Sequence, residues 1–135
     1  MTREDIIELD KLIARLRDLK ASDRDIDYDI AQLMGWRQVK LSSNVVWLVP
    51  NSDETAKVPR FTKFLHDAYN LAIEVAPDHV GGASWEPNGG SARINDEPYM
   101  QACSPSVALC IAALTLRRKQ YVAAYHAKQA TPNAT

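Results

Sequence analysis

Between residues 4 and 20, Ile6, Leu9, Ile13 and Leu16 recur at helical spacing, with Leu12 and Leu19 beside them and charges opposite. That periodicity predicts an amphipathic helix. Ala21-Ser22-Asp23 interrupts it. Ser22 or Asp23 can cap a second helix on which Ile26, Ile30, Leu33 and Met34 share a face, and Gly35 supplies its stop. The pattern then changes to Trp36, Val39 and Leu41, followed by Val45-Val46-Trp47-Leu48-Val49. β-Branched and aromatic residues between polar turn clusters predict one or two strands. Residues 51–59 are polar, end in a proline and read as a surface loop.

Phe61, Phe64, Leu65, Ala68, Leu71, Ala72 and Val75 trace a third helical stripe that stops before Pro77. Residues 80–86 and 91–96 flank Pro87-Asn88-Gly89-Gly90, and Asn-Gly predicts a hairpin because both residues tolerate positive φ. With a two-residue turn at Asn88-Gly89, Trp85 faces Ala92 and Arg93 lies diagonal to Trp85. Residues 98–102 add a short extended segment. Ser104-Pro105 then opens a last helix that runs to about Tyr125, apolar on a wide arc through Val107, Leu109, Cys110, Ile111 and Leu114.

This order predicts an α+β fold in which a small antiparallel sheet with a β-hairpin packs against about four helices. One domain covers residues 1–126, and 127–135 reads as a frayed tail.

Charge and composition narrow the chemistry. Sixteen basic and 17 acidic residues leave a formal net charge of −1, so no global field favours non-specific nucleic-acid binding. No apolar run is long enough to span a membrane, and the polar start Met1-Thr2-Arg3-Glu4-Asp5 does not read as a secretory signal. A cytoplasmic location is the expectation. Cys103 and Cys110 match no zinc or redox spacing and are expected reduced, with Cys110 a small core residue.

No catalytic or metal-binding spacing emerges. His66, His79 and His126 fall on a helix, a loop and a tail, without a nucleophile signature beside them. Asp23, Asp25, Asp27 and Asp29 alternate as in an ion loop but lack its glycine and terminal glutamate. Capping and the helix dipole explain Asp23 and Asp25. The expectation is a protein with no enzymatic activity, metal or cofactor.

Four motifs occur in order: Ile30-Ala31 with Met34-Gly35-Trp36; Pro59-Arg60-Phe61-Thr62 before Asp67-Ala68; a hairpin bearing Trp85; and Ser104-Pro105 followed by Ala108-Leu109-Cys110-Ile111-Ala112-Ala113-Leu114. Together they resemble a family of small bacteriophage and prophage proteins described as the phage ABA-sandwich domain. The resemblance covers roughly residues 23–118. The chain departs from the family pattern at Lys63-Phe64-Leu65-His66 and in a longer stretch over 41–58. By analogy with other small α+β phage proteins, the resemblance implies an accessory protein that sequesters a nucleotide immune signal, a cyclic ADP-ribose isomer or a cyclic oligonucleotide. The rival expectation is a protein-binding inhibitor of a host defence effector, such as an anti-CRISPR, using the acidic 18–29 region. A third is a structural accessory protein with no small ligand.

Binding a nucleotide requires an aromatic face for the base and a few cations or amides for phosphate. Trp36 and Arg37 leave a helix end, and Arg60 and Phe61 precede a helix start whose free amides can hold an anion. His66 follows on that helix, and Trp85 and Arg93 lie on the hairpin. These seven residues form the expected ligand-binding set, in a homo-oligomer holding ligand at a subunit interface. Taken singly, each of Trp36, Trp47 and Trp85 reads first as a core aromatic.

Overall fold

Thr2 caps the first helix by accepting from the Asp5 N–H, while the Asp5 carboxylate accepts from the Thr2 N–H. The Thr2 N–H, with the Thr2 side chain second, stabilises the ionised acid and holds the Asp5 carboxyl below its ordinary value. The computed structural model describes residues 2–130. Its helices are α1 (Arg3–Arg17), α2 (Arg24–Leu33), α3 (Leu65–Val75) and α4 (Pro105–Ala130). Its strands are β1 (Arg37–Lys40), β2 (Val45–Leu48), β3 (Gly81–Glu86), β4 (Gly89–Ile94) and β5 (Met100–Ala102).

The α+β class is as expected, but the strands divide into two antiparallel sheets, β1-β2 and β3-β4-β5. α4 is the centre against which α1, α3, β4 and β5 pack. Val107 through Leu114 is buried on every side, as an all-round apolar segment must be. Leu9 and Leu16 of α1, Ile30 of α2, Leu71 of α3 and Ile94 of β4 complete the core.

Several boundaries move for identifiable reasons. α1 stops at Arg17, with Asp18 as its C-cap. α2 is capped by Asp23, and Gly35, at φ 100°, adopts the left-handed conformation that turns the chain back. α3 opens at Leu65, not near Pro59-Arg60, because the preceding segment is held in a turn. The Thr62 N–H and hydroxyl donate to the buried Asp27 at 2.8 Å, and the Arg60 N–H donates to Asp67 at 2.8 Å. α4 continues past Tyr125 to Ala130, since Ala127, Lys128, Gln129 and Ala130 are good helix formers. The expected tail therefore begins inside a helix, and residues 131–135 lie outside the described residues.

The hairpin register also differs. Glu86 faces Gly89 and Trp85 faces Gly90, so Pro87-Asn88 is the turn. Proline suits the first turning position, and neither turn residue takes a positive φ. Arg93 consequently faces Gly82, on the opposite side of the sheet from Trp85. Among the described residues no helix is long and apolar enough to cross a membrane.

Candidate functional site

Alternation along β4 separates two surfaces. Gly90, Ala92 and Ile94 turn inward, whereas Ser91 and Arg93 turn outward beside Ser84 and Gly82 of β3. Asn95, at φ 52°, then reverses the chain, and the Glu97 N–H donates to the Ile94 carbonyl at 3.1 Å. That turn brings Tyr99 back over Arg93, whose guanidinium carbon lies 5.1 Å from the ring centroid. Arg93, Tyr99, Ser84, Ser91, Gly82 and Asn95 help line an open trough of about 460 Å³.

The trough is polar in a specific way. Arg93 Nε donates to the Glu97 carbonyl at 3.0 Å, which orients the guanidinium, and among the described residues no carboxylate pairs with it. Arg15, Arg24, Arg37 and Arg118 each have such a partner. The hydroxyls of Ser84 and Ser91 lie 2.8 Å apart and share a hydrogen bond. Gly82 contributes no side chain, and a β-carbon there would meet nothing within 4 Å. The lining contains no histidine, acid or thiol. The arrangement can stack a planar ring on the exposed side of Tyr99 and hold an anion on Arg93; no base stands beside its hydroxyls.

The structure disperses most of the sequence-predicted set. Only Arg93 enters the trough. Trp85 is on the inner side of β3 and 81% exposed. Trp36 packs half-buried against the core, and Arg37 donates to the Ser52 carbonyl and pairs with Asp53 in the neighbouring loop. Phe61 is buried. Arg60 is exposed but does not stand at a helix start; the Asp67 carboxylate already satisfies its N–H. His66 is exposed on α3, away from the trough lining.

A second aromatic cluster was not in that set. Tyr28 and Trp47 stack at 5.3 Å with a 4° interplanar angle, and Arg24 lies over Tyr28 at 4.6 Å. Here the cation is already engaged, by the carbonyls of Val58 and Pro59 and by Asp27. The trough offers the freer charge. Sequence alternation could have grouped Ser91 with Arg93, but Tyr99 depends on the Asn95 turn, which leaves no periodic trace.

Asp23, Asp27 and Asp29, read as part of an alternating acidic run, serve separate partners: the α2 N-terminus, Thr62 with Arg24, and Arg15. Cys103 and Cys110 are free thiols. Burial, with the Asp27 charge second, pushes the Cys110 thiol far up from its ordinary value. Compared with protein-family models, curated protein sequences and solved structures, the chain has no significant match.

Proposed function

We propose that this chain is a bacteriophage or prophage accessory protein that holds a nucleotide immune signal in the outer trough, in the host cytoplasm, and does not turn it over. The ligand class is a cyclic ADP-ribose isomer or a cyclic oligonucleotide. The observation that supports binding there is Arg93, stacked on Tyr99, oriented by Glu97 and lacking a carboxylate partner. The base stacks on Tyr99, phosphate meets the guanidinium, and ribose hydroxyls meet Ser84, Ser91 and Asn95. At about 460 Å³ the trough falls within the range of small-molecule sites. The phage context rests on the resemblance over residues 23–118.

Inhibition by sequestration follows mass action: the protein must be abundant and bind more tightly than the signalling concentration. The test is incubation with each cyclic nucleotide, removal of unbound ligand, heat release and chromatography. Intact ligand is the expected product, and Arg93→Ala should weaken binding by about tenfold or more. Degraded product, or binding indifferent to Arg93→Ala and Tyr99→Ala, refutes the proposal.

The rival reading, inhibition of a host defence protein, finds less support in the acidic 18–29 region, where three aspartates already have partners. The exposed Trp85 favours it instead. Stoichiometric co-purification of a host protein, without nucleotide, would support that reading.

A further inference from the structure

β3 is an edge strand, and its free edge is shaped to receive itself. The Asn95 N–H donates to the Val80 carbonyl at 2.7 Å. Hydrogen-bonded pairs alternate along an antiparallel ladder, so residues 80, 82, 84 and 86 direct their main-chain groups at β4. Gly81, Ala83 and Trp85 direct theirs outward. No proline or lysine interrupts 81–86, and every residue there is exposed.

Side chains on the inner side of this strand form a knob and a hole. Trp85, 81% exposed, projects without cover at one end. At the other end lies an apolar cavity of about 150 Å³, bounded by Leu65, Tyr69, His79, Leu109 and the main chain at 81–83. Gly81 adds no side chain to it, and none fits there, since a β-carbon would stand 2.5 Å from the Arg93 carbonyl oxygen.

We propose that two copies of this chain pair antiparallel through β3, about a two-fold axis at Ala83. In that register Ala83 faces Ala83 of the second copy, and Trp85 faces the second copy's Gly81. All three outward-facing residues are then hydrogen-bonded, and each indole lies over a glycine and enters the other copy's cavity. Trp85, Tyr69 and Leu65, with the main chain of 81–86, offer roughly 600 Å² per copy; the resulting total of about 1,200 Å² is the lower end for specific interfaces. The edge selects a second copy over an unrelated partner because knob and hole are four residues apart on one strand, the separation that this two-fold register brings together. Pairing does not depend on ligand.

The test is sedimentation of the full chain at micromolar to submillimolar concentration. A dimer is expected. Trp85→Ala should raise its dissociation constant by about thirtyfold or more. Ala83→Pro removes an outward N–H and spares the β4 ladder, so it should give a folded monomer by circular dichroism. Register is read separately: under oxidation Ala83→Cys should cross-link the dimer, whereas Ser84→Cys, which faces Gly82 of the second copy, should not. A monomeric wild-type chain overturns the proposal, as does a dimer that survives both edge substitutions or cross-links equally through position 84. Capture of a different protein at this edge by a monomeric chain also overturns it.

Discussion

The Asp27 carboxylate is buried, and what makes it tolerable is donors on both oxygens. Thr62 supplies an N–H and a hydroxyl to one, and Arg24 reaches the other at 3.2 Å. Thr62→Val keeps the shape and removes the hydroxyl, so the unfolding free energy should fall by about 1–3 kcal/mol in a urea titration. Cys110 tests the same region by its reactivity. Its buried thiol stays protonated where an ordinary thiol ionises, so the native chain should react with a thiol reagent at Cys103 alone and at both cysteines in denaturant. Because the folded value is raised, the contribution of this group to stability is full below pH 9 and declines above it, as the unfolded thiol ionises. An alkaline unfolding series on wild type and Cys110→Ala checks that sign.

At the scale of elements, periodicity in the sequence revealed much, because apolar side chains every three to four residues reflect burial directly. α1, α2 and the buried half of α4 were legible in Leu9, Leu16, Ile30 and Leu114. What failed depended on contacts between distant residues. The α3 start was hidden because Thr62 is drawn to Asp27, 35 positions away. The hairpin register was hidden because Pro87 competes with Asn88-Gly89 for the turn. The binding set was the least legible: residue type marks which side chains can stack or carry charge, yet Tyr28 and Phe61 show that position decides whether an aromatic ring is available. The burial pattern makes a further prediction. Leu114→Ala, in the fully buried part of α4, should cost about 2–5 kcal/mol in denaturant unfolding, with a correspondingly lower Tm.

Across the whole molecule, α4 gathers α1, α3 and the three-stranded sheet into one core, while β1-β2 stands apart and shares no ladder with the other sheet. Its long-range attachment includes the Tyr28–Trp47 stack and the half-buried Trp36. This separation has a kinetic consequence. Opening β1-β2 exposes little of the central core, so its amides should exchange with solvent by local excursions, much faster than those of Ile111 and Leu114 in the buried part of α4, which wait for global unfolding. Tyr28→Ala should accelerate exchange across 37–48 and leave β4 nearly unchanged, so this one aromatic stack would act as a latch whose release rate can be timed residue by residue.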